Sequence, residues 1–155
     1  MPCVQGWLGP RRSAEAESAR RGRDQFVAAC ADLASGGSAD DPELILALGG
    51  PAARWAVTGE PPGPDYWLRT WALRGLLWVW EDSATHTVLA ALEDEHWRVR
   101  EMAAKVVARN AIDAALEQVA ALRDDAVPRV RNAAGRAVAV LTSAAYESWS
   151  LSRGD

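Results

Sequence analysis

Arg100 and Arg131 stand 31 residues apart, and each closely follows an aspartate, Asp94 and Asp124. A carboxylate near a guanidinium can serve acid–base chemistry or can tie two segments together. The rest of the reactive inventory argues for the second use. The two histidines, His86 and His96, show no metal-ligand spacing, and each fits a surface or helix-capping role. The two cysteines, Cys3 and Cys30, form no spaced pattern. Cys30 shares one helical face with Phe26, Val27, Leu33 and Ala34, which predicts a buried, reduced thiol. Phosphate-cradling glycine loops and the G-x-S-x-G nucleophile elbow are absent. No catalytic residue, cofactor or metal ligand is therefore assigned.

Binding chemistry is better represented. The stretch YWLRTWALRGLLWVW, residues 66–80, holds four of the eight tryptophans. Aromatic anchors beside arginines are the usual composition of interface hot spots. The candidate partner-binding residues are Tyr66, Trp67, Trp71 and Arg74, with Trp97, Arg98, Lys105 and Arg136 further along. Ala104, Ala108, Gly135 and Ala139 would let a partner's backbone approach, and a short acidic peptide or helix would suit such a surface. A second reading of the same stretch is structural. A helix hydrophobic nearly all round is a buried one, and the N-terminal helices would then cover it.

The elements that must position these residues repeat. YWLRTWALRGLLWVW from Tyr66, HWRVREMAAKVVARN from His96 and VPRVRNAAGRAVAVL from Val127 superpose with an offset of 31. Leu68, Val99 and Val130 coincide, as do Arg69, Arg100 and Arg131, then Ala72, Ala103 and Ala134, then Arg74, Lys105 and Arg136, then Leu76, Val107 and Val138. A period in the range of roughly 20–50 residues marks a solenoid. A second helical pattern precedes the later two stretches: Val88, Leu89 and Leu92 behind Ser83 as a cap, then Ile112, Ala115, Leu116 and Val119. Polar turns join each pair, and Pro128 suits a first helical turn. Upstream, DDPELILALGG and PAARWAVTG read as two short helices broken by Gly49-Gly50-Pro51 and by Gly59, with Asp41 as a cap.

At 155 residues the chain is most simply one domain, large enough to bury a core without staples. Its formal net charge of −4 argues against nucleic acid as the main partner. No apolar run is long enough to span a membrane, and the N-terminus lacks the order of a signal peptide. With no disulfide framework the expected location is the cytoplasm. Arginine almost replaces lysine, which suggests a GC-rich, bacterial coding bias.

LEDEHWRVREMAAKVV and LRDDAVPRVRNAAGRAV resemble HEAT repeats. The resemblance covers residues of about 84–141 and weakens upstream, where Asp65 only loosely replaces the turn aspartate. It implies an all-α, right-handed α-α superhelix of about three helical hairpins behind an irregular helical N-terminal cap. Expected boundaries are a flexible extension over 1–22, helical after Ser13, a solenoid over 23–148 with repeats near 41–80, 83–110 and 112–142, and a flexible tail over 149–155. The resemblance also implies that Asp94, Arg100, Asp124 and Arg131 form a structural ladder between turns. The function it implies is a non-catalytic scaffold that holds a protein or peptide on its inner face. Two alternatives exist on the same architecture: a HEAT-like DNA glycosylase, for which Glu101 is the nearby acidic candidate, and a HEAT-like bilin lyase.

Overall fold

The computed structural model describes residues 6–153, the Tyr146 side chain excepted; Cys3 lies outside them. The described residues form nine α-helices and four short 3-10 turns, with no strand among them. They divide into two compact units, Met1–Thr87 and Val88–Asp155.

The N-terminal unit is organised around its most aromatic helix. It contains α1 (Pro10–Arg21), α2 (Arg23–Ala34), α3 (Pro42–Gly49), α4 (Trp55–Thr58) and α5 (Tyr66–Trp78). Helices α1, α2 and α3 all pack on α5. The local starts and stops follow the sequence. The Asp41 carboxylate accepts the Leu44 N–H at 3.0 Å and caps α3. Gly59 ends α4 in the left-handed region at φ 77. Phe26, Val27, Cys30, Leu33 and Ala34 are all buried, as the helical face of α2 predicts. Leu48 of α3 and Leu73 and Leu76 of α5 are also buried.

The expected flexible extension through residue 22 is, over Pro10–Arg21, a packed helix. Its anchor is charge as much as apolar surface. Arg21 meets Glu17 at 2.6 Å and reaches across to Asp41 at 2.7 Å, and Arg20 meets Glu43 at 2.8 Å. Beyond Ala14 it buries the polar Glu17 and Ser18, so an apolar periodicity could not announce it.

The C-terminal unit takes in the end of α6 (Thr85–Ala91), then α7 (Trp97–Asn110), α8 (Leu116–Ala121) and α9 (Pro128–Ser152). Helix α7 packs on α9, and α8 packs on α9. The 31-residue register is realised as a shared buried face. Val99, Ala103, Val106 and Val107 of α7 are fully buried; so are Val130, Ala134, Ala137 and Leu141 of α9, with Val138 half-buried. In α5 the equivalent face buries Ala72, Gly75 and Leu76, with Val79 just past its end also buried, while Leu68 is half-buried. Two local expectations change. Ser83 is not a cap but the centre of a 3-10 turn, Asp82–Ala84. Helix α9 runs on to Ser152, through the expected repeat end at 142 and into the expected tail, because nothing in TSAAYESWSLS breaks a helix.

Candidate functional site

The turn ladder is the first of three side-chain arrangements. In the C-terminal unit the Asp94 carboxylate accepts the His96 N–H at 2.8 Å, and His96 Nδ1 accepts the Arg98 N–H at 3.2 Å. His96 thus caps α7. Arg100 donates from Nη1 to the Asp94 and Glu95 carbonyls at 2.8 and 3.0 Å. Its other donors reach Asp125, not Asp124: Nε to Oδ2 at 2.8 Å and Nη2 to Oδ1 at 3.2 Å. Asp125 also accepts the Val127 N–H at 2.9 Å, and its carbonyl accepts from Arg131 at 2.7 Å. Burial opposes the charge on Asp125, but Arg100 and the Val127 N–H outweigh it and hold the carboxyl below its ordinary range. Asp124 is exposed at the end of a 3-10 turn, Leu122–Asp124. The assignment of Asp124 to the ladder is therefore corrected to Asp125. The 31-residue offset already pairs residue 94 with residue 125.

The second arrangement gathers Tyr66, Trp67, Trp71 and Arg74 in the N-terminal unit. Trp67 and Trp71 stack with centroids 6.0 Å apart and planes at 25°, and Tyr66 lies against Trp67 at 5.4 Å. Tyr66 and Trp67 are half-buried, whereas Trp71 is only 6% exposed. The N-terminal helices α1, α2 and α3 cover α5, while Tyr66 and Trp67 in its first turn keep part of their surface. Arg74, expected among the partner-binding residues, is half-buried. Its Nη2 donates to the Leu48 carbonyl at 2.6 Å, at the C-terminal end of α3. There a cation meets orphan carbonyls and the negative end of the helix. Burial alone lowers its affinity for its proton.

Trp67, Trp71 and Arg74 line a cavity of about 470 Å³ together with Trp7 and Trp55, which sequence reasoning missed. The signal available was Gly49-Gly50. A Cβ at Gly49 would lie 2.7 Å from the Trp71 ring, and one at Gly50 would collide with Trp7. Gly50 also sits at φ 61, where a side chain is strained.

The third arrangement is on α7 and α9. The Arg98 guanidinium lies 4.4 Å from the Trp97 ring centroid and that of Arg129 lies 5.5 Å from it. Beneath them Glu101, 7% exposed, meets Lys105 at 3.0 Å and Arg129 at 3.1 Å. Burial raises the carboxyl's hold on a proton, but the two cations prevail and keep it below its ordinary range. Lys105 is thus tied to Glu101. Arg136 is exposed, two turns along α9 from Arg129 and on the same side. Of the expected small-residue floor, Ala139 is exposed and Ala108 and Gly135 are half-buried, but Ala104 is fully buried against the helix packing. Arg129, which closes this cluster, was absent from the expected binding set.

Among the described residues no group of three or more His, Cys, Asp and Glu could hold a metal ion. No helix among them is long and apolar enough to cross a membrane.

Paired helices in one register, joined by Asp- and Arg-bonded turns, define a helical-repeat protein. The sequence model of HEAT repeats matches residues 62–139, from the approach to α5 into α9, and the chain belongs to the HEAT-repeat family. No curated protein and no solved structure matched the chain.

Proposed function

We propose that the chain is a non-catalytic HEAT-repeat module that holds a protein or peptide partner, with acidic groups on the partner's contacting face. The observation that carries this reading is Trp97 with the guanidinium groups of both Arg98 and Arg129 over its ring. Trp97 and Arg98 are half-buried and Arg129 is exposed, so an aromatic anchor and two cations reach solvent together. Such anchors carry most of the energy in protein interfaces. Arg136 extends the positive character along α9. HEAT repeats commonly mediate protein interactions, which supports the same reading.

The glycosylase alternative rests on Glu101, and that carboxylate is buried between Lys105 and Arg129. A general base needs an open lone pair near its substrate, so the geometry favours binding over catalysis. The same proposal has the chain work in the cytoplasm, where the thiol of Cys30 would stay reduced.

Affinity capture from the native cell with quantitative mass spectrometry tests the reading. A partner enriched by the wild-type chain should be lost with Trp97→Ala and with Arg98→Glu/Arg129→Glu, and retained with Asp113→Ala in an exposed 3-10 turn. Retention through both surface variants would overturn the assignment to this face. Retention of duplex DNA with a steep salt dependence would favour the nucleic-acid reading instead.

A further inference from the structure

The cavity in the N-terminal unit has a chemistry that protein docking on α7 and α9 does not use. Four tryptophans, Trp7, Trp55, Trp67 and Trp71, wall a space of about 470 Å³. Small-molecule sites usually span roughly 300–1,000 Å³ and combine apolar walls with a few fixed polar groups. Apart from Arg74, the remaining lining is glycine, alanine and proline, so no carboxylate faces the one cation.

Arg74 is the charged residue of this wall, and no lining side chain offers it an acceptor. Arg74 uses Nη2 on the Leu48 carbonyl, but its Nε is buried without a partner. Trp7 Nε1 is buried without a partner as well. Guanidinium and indole N–H groups can donate only. Both atoms are closed to solvent, so an occupant would meet the rest of the Arg74 guanidinium, and a lining cation with no carboxylate beside it favours an occupant that brings an acceptor. A quaternary ammonium, the usual guest of an aromatic cage, would meet the positive charge of Arg74 and is disfavoured. A single cation matches a monoanion better than a phosphate dianion. Indole faces favour a flat aromatic body over an aliphatic chain, since offset stacking adds to area burial.

We propose that this cavity binds a small aromatic carboxylate, its ring against the indoles of Trp55, Trp67 and Trp71 and its carboxylate on the guanidinium of Arg74.

The test uses the full chain and the indole N–H signals in a ¹H–¹⁵N correlation spectrum. Three probes share one ring: 1-naphthylacetate, the neutral 1-naphthylacetamide and the cationic 1-naphthylmethylammonium. The carboxylate should shift the signals of Trp7, Trp55 and Trp67 and bind about tenfold or more tightly than the amide, as a charge-assisted pair in a low-dielectric pocket requires. Arg74→Gln should bring the two affinities together. Because Arg74 also holds α3, Trp55→Ala in the short helix α4 serves as a second variant and should weaken both neutral and anionic probes while the chain stays folded. Equal affinity for acid and amide, preference for the cation, shifts confined to Trp97 and Trp149, or no shift up to millimolar probe would each overturn the proposal.

Discussion

Arg100 and Asp125 meet through two parallel N–H···O bonds, at 2.8 and 3.2 Å, while Asp124 beside it is exposed. The same guanidinium holds the carbonyls of Asp94 and Glu95, so one side chain ties the turn before α7 to the turn before α9. Both partners are largely shielded, with side chains 17% and 7% exposed. Removing one member leaves the other charge buried and unpaired. Asp125→Ala should cost about 2–4 kcal/mol in urea unfolding, and Asp124→Ala should stay within about 0.5 kcal/mol of wild type. Equal effects would return the ladder to Asp124.

The same pairings set an acid limit on stability. Glu17, Asp41, Glu101 and Asp125 are all held below their ordinary carboxylate values in the folded chain. For Glu17 and Asp41 the leading cause is the hydrogen bond from Arg20 and Arg21 respectively; for Glu101 and Asp125 burial opposes the shift and the cations overcome it. A depressed folded value means the unfolded chain binds protons first as pH falls. The stabilisation is therefore fully present above the ordinary carboxylate range and is lost as pH falls through it. Urea midpoints should be flat from pH 7 to about 5 and drop below that. Glu101→Gln with Asp125→Asn should give a shallower acid slope; an unchanged slope would remove these two groups from the account.

Much of this architecture is legible in the sequence, because repeated helical hairpins leave a periodic trace. The buried face of α7 and α9 follows from 3.6-residue spacing and from a fixed 31-residue offset. Helix α1 left no such trace, because Arg21, Glu17 and Asp41 dock it through ion pairs. A helical wheel gives the direction of Arg74 on α5 but not what lies in that direction, which is the end of α3. Trp7 and Trp55 belong to short irregular segments, and their convergence on Trp67 and Trp71 depends on how Gly49 and Gly50 turn the chain.

Cys30 offers a test of how tightly the N-terminal unit is closed. It is fully buried, and burial pushes its thiol up to about 12, with Arg21 opposing weakly and Glu17 adding to it. Only the thiolate is a nucleophile. In a Cys3→Ser background, Cys30 should react with Ellman's reagent at pH 8 only as fast as the unit opens, and rapidly in denaturant. Fast reaction in buffer would mean that α2 and α5 part readily.

Two helical glycines should respond oppositely to alanine. Each would gain about 0.5–1 kcal/mol from helix propensity. At Gly135 of α9 a Cβ would meet nothing within 4 Å, so that gain should appear as a raised Tm. At Gly75 of α5 a Cβ would fall 2.7 Å from Leu48 Cδ2, 3.1 Å from Cys30 Sγ and 3.3 Å from Phe26 Cζ. Those three side chains are themselves buried, Leu48 at 2% exposure and the other two at 0%, so none can swing into solvent to make room. Overpacking of this kind costs about 1–3 kcal/mol, which exceeds the propensity gain. Gly75→Ala should therefore lower Tm while Gly135→Ala raises it, as read by thermal melts followed in the far ultraviolet. A rise in both would mean that α5 can draw back from α2 and α3, and that the close seat assigned to the aromatic helix is looser than its contacts imply.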